Sequence, residues 1–370
     1  MSRPSEYAVV MAGGRGQRFW PQSRERRPKQ LLPIVADATM LELALRRLFP
    51  LFDPGRVVIV TNRAYEEDVR RLAGAVPREN VIGEPMGRDT CACIALATAW
   101  IAARDPDAVT AVLPADQVVH DEAGFQATFR DALAYAGASG DLVTVGIRPT
   151  HPATGYGYIE QGAPIAGGTA GGTALYRVAR FTEKPGIEVA RAYLESGRHW
   201  WNTGMFAWSV QTFRQALLQY APQLAQACDS MRDAARAAPE RAAFLARVAE
   251  LYAALPRVSV DFALLERASN VAMAVAQFDW DDVGSVVAVE RHLPADAAGN
   301  VARGGPWKGL DTAGSIVIGS PDHLIATVGV RDLVIVHTAD ATLVCTKGQA
   351  ERLKELLEAL RADPELRHWT

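Results

Sequence analysis

AVVMAGGRGQRFWPQSRERRPKQL, residues 8–31, carries an apolar run into Gly13, Gly14 and Gly16, then sets Arg15, Arg18, Arg24, Arg26, Arg27 and Lys29 against Glu25 alone. A short apolar strand that stops at glycines leaves backbone N–H groups free to converge on phosphate oxygens, because no Cβ stands in the way. Spacing excludes two phosphate devices. A dinucleotide fingerprint needs a third glycine where Phe19 stands, and no GxxxxGK run followed by Ser or Thr exists. Taken alone, the stretch also fits a tight turn followed by a solvated basic face.

Outward from this stretch the pattern repeats through Ile147. Apolar segments YAVVMA, RVVIVT, VTAVLP and LVTVGI alternate with helical ones, MLELALRRLF, the amphipathic segment from Tyr65, CACIALATAWIAA, and residues 122 to about 138. Strands alternating with helices imply parallel crossovers, hence an α/β, doubly wound, mostly parallel sheet. Ligands bind such sheets beyond the carboxyl ends of the strands, where the glycine loop and LPADQ fall. GYGYIE and LYRVARF read as neighbouring strands joined by the glycine-rich tip at 162–174. The Ala-rich stretch from Val210 to Leu255 reads as helices bounded at Pro222 and Pro239. After Pro294 short β-like runs (SIVIG, HLIATVGV, LVIVHT, ATLVCT) lead to an amphipathic helix, AERLKELLEAL. The expected division is therefore a large α/β domain over 1–294 and a small β-rich C-terminal domain over 295–370. The strand repeats are too irregular to name a solenoid from period alone, and a short left-handed β-helix is its candidate form.

The 370 residues carry 39 basic and 42 acidic side chains, a net charge of -3. That balance argues against a general nucleic-acid or membrane-surface binder. Cys91, Cys93, Cys228 and Cys345 have neither CxxC spacing nor a nearby His pattern, and read as buried thiols in a reducing compartment. The N-terminal apolar run is short for a signal peptide, so a cytoplasmic location is expected.

AGGRGQRFWPQSRERRPKQLLPI resembles the signature of the sugar nucleotidylyltransferases, and its Trp20-Pro21 and Pro28-Lys29-Gln30 details resemble the mannose-1-phosphate guanylyltransferases among them. The likeness continues in order through EPMGRDT, LPADQ, GYGYIE, FTEKP, WNTGMFAW, SVDFALLE and FDWDDVGS. It implies a Rossmann-like catalytic domain, with GTP and mannose 1-phosphate as substrates and Mg²⁺ as cofactor. The sugar phosphate would attack the α-phosphorus and release pyrophosphate. That nucleophile is already ionised, so positioning and charge neutralisation suffice and no general base is required.

By the same resemblance Gly13, Gly14, Gly16, Arg18, Lys29, Glu84 and Pro85 serve the nucleotide, and Gly155, Glu183, Lys184 and Asn202 the sugar phosphate. Arg18, Lys29, Asp116 and Asp282 are the catalytic set, with Asp116 and Asp282 as metal ligands. Each has a plainer reading: Asp116 can cap the helix that follows it, Asp282 can belong to a turn, and Glu183-Lys184 can be an exposed pair. Trp200, Trp201, Phe206 and Trp208 are expected to pack rather than stack on a sugar.

Two positions depart from the pattern, Asp89 where an amide is usual and Val286 where a tryptophan commonly stands. Some relatives add a phosphomannose isomerase cupin, which this sequence is expected to lack, and with it isomerase activity. A homodimer is the candidate assembly, with no nucleic-acid or membrane partner. The alternatives are another sugar 1-phosphate, such as a manno-heptose phosphate, and a noncatalytic regulatory relative.

Overall fold

A computed structural model describes residues 4–14, 16–167, 169–237 and 241–370. By internal contacts the chain divides into two compact units. One comprises Met1–Gly13 with Ala44–Asp281, the other Gly14–Leu43 with Asp282–Thr370. The division by contacts thus falls at the glycine loop and at the Asp281–Asp282 peptide.

The larger unit is built on one sheet from β1 (Glu6–Ala12), β2 (Val57–Asn62), β3 (Val81–Glu84), β4 (Val109–Pro114), β5 (Leu142–Ile147), β6 (Tyr158–Pro164), β7 (Leu175–Thr182), β8 (His199–Ser209) and β9 (Val271–Val275). Their order is β3-β2-β1-β4-β8-β5-β9-β7-β6. The expected parallel crossovers are present: β1 pairs in parallel with β2 and β4, β2 with β3, and β5 with β9. β8 enters antiparallel between β4 and β5, and β6 and β7 form the expected hairpin. The sheet is therefore mixed around β8.

The helices are α1 (Met40–Leu48), α2 (Glu66–Leu72), α3 (Asp89–Ala102), α4 (Glu122–Ser139), α5 (Ile187–Ser196), α6 (Val210–Tyr220), α7 (Pro222–Ala237) and α8 (Arg241–Ala254). α3 is apolar on every side, as a helix enclosed in a core must be. Cys91 to Ala102 are buried, packed in one core with Val9, Val58 and Ile82 of the sheet and with Phe213, Leu224, Met231 and Phe244 of α6–α8. Each large apolar side chain buried this way contributes roughly 1.5–3 kcal/mol. Pro222 opens α7 as expected; Pro239 lies outside the described residues. Trp200, Trp201, Phe206 and Trp208 are buried, the last two stacked at 5.2 Å, so they pack as the sequence suggested. Cys91, Cys93 and Cys228 are buried free thiols and Cys345 is half-buried. Among the described residues no helix is long and apolar enough to cross a membrane.

In the smaller unit β10 (Val301–Arg303), β11 (Trp307–Leu310), β12 (Ile316–Ile318), β13 (Ile325–Val328), β14 (Leu333–His337) and β15 (Thr342–Thr346) precede α9 (Leu353–Ala362). β10, β12 and β14 stack in parallel, as do β11 and β13. The register places Val301, Ile316 and Val334 above one another, all buried. Two parallel ladders visited alternately by one chain are the coils of a short β-helix. β10 and β11 were not legible as strands, being three and four residues long.

Candidate active site

In the larger unit, the parallel strands β1, β3 and β4 present their carboxyl ends at one edge of the sheet. Gly13 follows β1, Glu84 ends β3 with half-buried Pro85 next, and Asp116 lies two residues past β4. Gly13 is exposed, and a Cβ there would stand 3.5 Å from Glu84 Oε2. Glu84 itself is buried, with Tyr252 Oη donating to its Oε1 at 3.0 Å. Burial raises this carboxyl from its ordinary 4.5 to about 7, opposed by the Tyr252 hydrogen bond and reinforced by the charge of Asp89.

A carboxyl raised in the folded state favours folding while it stays protonated. Its stabilising contribution is complete below 4.5 and is lost as pH rises through about 7. Glu84→Gln keeps an acceptor for Tyr252 and removes the titration. Urea unfolding across that window should therefore give a flatter dependence of stability on pH than in the parent chain. An unchanged slope would show that Glu84 does not titrate there.

Asp116 is half-buried beside a buried cation. Arg47 of α1 is 1% exposed and donates through Nη2 to the Gln117 carbonyl at 3.1 Å. Burial lowers its pKa to about 10, while Glu122, Asp116 and Asp279 pull it back. Asp279 accepts from the N–H groups of His120 and Asp121 at 3.0 and 2.7 Å, and Val118 and Asp281 exchange both backbone hydrogen bonds at 2.9 and 3.1 Å. The FDWD segment is thus fixed beside the loop that carries Asp116.

The second constellation gathers where β6 pairs Tyr158 with both Thr182 of β7 and Trp201 of β8. Lys184 Nζ donates to Glu183 Oε1 at 2.6 Å. The Lys184 side chain is 60% exposed while that of Glu183 is buried. Burial disfavours the ammonium, but the Glu183 hydrogen bond and the charges of Glu183, Asp261 and Asp89 outweigh it and raise its pKa. Asn202 is buried and fully directed: its Oδ1 accepts from Thr144 Oγ1 at 2.9 Å and its Nδ2 donates to Asp261 Oδ1 at 2.9 Å. Gly155 is exposed with open space at its Cβ position. Gly157 is the glycine that the packing requires, since a Cβ there would meet Glu183 Oε2 at 2.5 Å and Asn202 Cβ at 3.4 Å.

Asp261 and Tyr252 were missed in the sequence. The Asp261 carboxyl is pushed up to about 7 by burial and by the neighbouring Glu183 charge, with Asn202 and Lys184 pulling it down. Carboxyls shifted this far, grouped with a cation and an amide, are functional-site candidates.

In the smaller unit Gly16 has φ 60, and a Cβ on it would meet Lys29 Cβ at 2.4 Å and Lys29 N at 2.8 Å. Left-handed backbone and contact with the Lys29 backbone both demand glycine. By contrast Gly14 is exposed with open space around it. Lys29 is 5% exposed, and its Nζ donates to the Asp282 carbonyl at 2.6 Å. The basic loop is thereby tied to the WDDVGS motif. Arg18 Nε meets Glu351 Oε2 at 2.8 Å. Arg15 lies outside the described residues.

Backbone strain falls on the same motifs. Asp89, Lys184 and Val283 have φ of 68, 45 and 44. Non-glycine residues in this region cost on the order of 1–3 kcal/mol and concentrate at functional sites, and a β-branched valine there is a clear outlier. Asp89 uses its position at the start of α3 to accept from the Thr90 N–H at 2.8 Å. Val286 is buried, so the smaller side chain in place of tryptophan is packed.

Carboxylate oxygens are the hard donors that a divalent ion takes. Asp116 and Asp282 offer carboxylate oxygens. Among the described residues no group of three or more His, Cys, Asp or Glu gathers to cage a metal unaided. Magnesium is held in that way, by one or two carboxylates completed by phosphate oxygens and water.

A family model described as nucleotidyl transferase matches residues 7–298, and one described as MannoseP isomerase/GMP-like beta-helix domain matches 308–360. The chain is similar to the mannose-1-phosphate guanylyltransferase of Escherichia coli K12, 38% identical over 373 residues, covering 100% of this chain and 76% of that protein. Mannose-1-phosphate guanylyltransferase ManC of Salmonella typhimurium is 37% identical over 377 residues, with the same coverage. Among solved structures, one described as mannose-1-phosphate geranyltransferase from Thermus thermophilus has a TM-score of 0.85 and 35% identity, covering 96% of this chain and 99% of that one.

Proposed function

The chain belongs to the nucleotidyl transferase family, and on that premise we propose that it transfers GMP from GTP to α-D-mannose 1-phosphate, yielding GDP-mannose and pyrophosphate. The observation that carries the reading is the Gly157–Glu183–Asn202–Asp261 cluster with Lys184 at its rim. It offers carboxylates to sugar hydroxyls and an exposed ammonium to a phosphate, inside a chain whose relatives bear that name along its full length.

The residues divide the work. Lys184 holds the sugar phosphate, Glu183 accepts from hydroxyls, and Asn202 aims Asp261 beside it. Gly155 lets the ring approach the backbone. Gly13, Gly14 and Gly16 present N–H groups to the triphosphate, with Arg18 and Lys29 adding charge, and Glu84 and Pro85 flank the nucleotide. The family generally uses a divalent metal; here Asp116 and Asp282 would hold Mg²⁺. When bound, the ion supplies charge neutralisation at the phosphates. Ordering two polyanions against one another then supplies the remaining acceleration. Residues 1–294 form the catalytic portion and 295–370 the accessory β-rich portion, in the cytoplasm.

Pyrophosphate release should be measured for each nucleoside triphosphate against mannose, glucose and manno-heptose 1-phosphates. GTP with mannose 1-phosphate is expected to give the highest kcat/KM, and EDTA to abolish turnover until Mg²⁺ is restored. A higher value for UTP with glucose 1-phosphate would overturn the substrate assignment, and full turnover in EDTA the metal assignment.

A further inference from the structure

The segment from Gln17 to Glu25 is held at several points by the C-terminal part of the smaller unit. Trp20 Nε1 donates to the Trp369 carbonyl at 2.8 Å, Arg24 Nη2 meets Asp340 Oδ1 at 3.0 Å, and Arg361 approaches Glu25 at 3.8 Å. Trp20 and Arg24 are largely shielded, with Trp20 8% exposed and the Arg24 side chain 17%. These contacts fix the loop without help from Arg18.

The Arg18 contact differs in kind. Its side chain is 37% exposed and that of Glu351 is 66% exposed. Between side chains this exposed, and with no hydrogen bond formed at the buried Arg18 Nε among the described residues, the ion pair is worth about 0–1 kcal/mol, too little to be needed for folding. A triphosphate offers the same guanidinium a stronger, charge-assisted acceptor. The carboxylate and the nucleotide therefore compete for one cation, and releasing Glu351 leaves the loop still anchored by Trp20 and Arg24.

We propose that Glu351 is a positioning residue that latches Arg18 and is displaced when the nucleotide triphosphate binds. The proposal rests on the assignment of Arg18 to the triphosphate. It links nucleotide entry to the segment that precedes α9. Because Glu351 opposes nucleotide binding, removing its charge should tighten that binding.

The test is steady-state kinetics on the full chain with Mg²⁺, varying GTP at saturating mannose 1-phosphate and then the reverse, for Glu351→Gln, Arg18→Ala and the double variant. Thermal melts check folding. Glu351→Gln should lower the KM for GTP by roughly two- to fivefold at low ionic strength, with the KM for mannose 1-phosphate unchanged. The gain should shrink in high salt, where exposed charges are screened, and vanish in the Arg18→Ala background. If Arg18→Ala raises the KM for GTP but Glu351→Gln leaves it unchanged or raises it, the latch is wrong and the assignment of Arg18 stands. If Arg18→Ala itself leaves GTP kinetics intact, that assignment fails and the latch falls with it. A gain that persists in the double variant would also overturn the latch, because Glu351 would then act through something other than Arg18.

Discussion

Asp282→Asn is expected to lose on the order of a hundredfold or more in kcat, while Asp281→Asn loses far less. The two carboxylates are neighbours in sequence and differ in their surroundings. Asp281 has both backbone groups paired with Val118, which fixes it as the end of a short antiparallel bridge. Where a segment is extended, successive side chains point to opposite faces, which sets the two carboxylates apart. The Asp282 carbonyl is the one that Lys29 Nζ grips, and Val283 beyond it holds a strained φ of 44 while fully buried. A backbone gripped on one side and strained on the other is held for position. A carboxylate so placed can serve a metal whose electrostatic contribution amounts to several kcal/mol in the transition state. The check is kcat at saturating Mg²⁺ for Asp116→Asn, Asp281→Asn and Asp282→Asn, each with a thermal melt. A folded, active Asp282→Asn beside a dead Asp281→Asn would reverse the assignment.

Local signals carried much of this architecture. An apolar run broken by glycines identified β1 and its loop, and the uninterrupted apolar stretch at Cys91 identified α3 as a helix. What escaped depends on partners distant in the chain. β8 is buried along nearly its whole length, so it shows no alternation and nothing local places it antiparallel between β4 and β5. TGYGY offers two equivalent glycines. Only the proximity of Glu183 and Asn202 shows that Gly157 is the packed glycine while Gly155 lies open. Tyr252 sits in an Ala-rich helix and finds Glu84 168 residues away, while Asp261 hides in an apolar run whose burial raises its pKa. The basic loop groups with the C-terminal strands through contacts such as Trp20 to Trp369, 349 residues apart. No window of sequence contains that pairing.

Lys184 and Lys29 should fail in different ways, and the difference tests how the two substrates are divided between the two cations. Lys184 is exposed, strained at φ 45, and bonded through Nζ to its neighbour Glu183. Its loss removes a charge-assisted contact without opening the core. Lys184→Ala is therefore expected to cut kcat/KM for mannose 1-phosphate on the order of a hundredfold, to change the KM for GTP by no more than about twofold, and to melt near the parent temperature. Lys29 is buried against Gly16 and bonded to the Asp282 carbonyl. On the proposed assignment, removing it takes charge from the triphosphate side and also frees the segment that carries Asp282. Lys29→Ala should raise the KM for GTP, lower kcat, and raise the Mg²⁺ concentration needed for half-maximal rate by displacing Asp282. The two variants are to be compared by varying each substrate in turn and titrating Mg²⁺. Equal damage to GTP kinetics from both, with mannose 1-phosphate kinetics intact, would mean that Lys184 does not hold the sugar phosphate and that both cations act on the nucleotide.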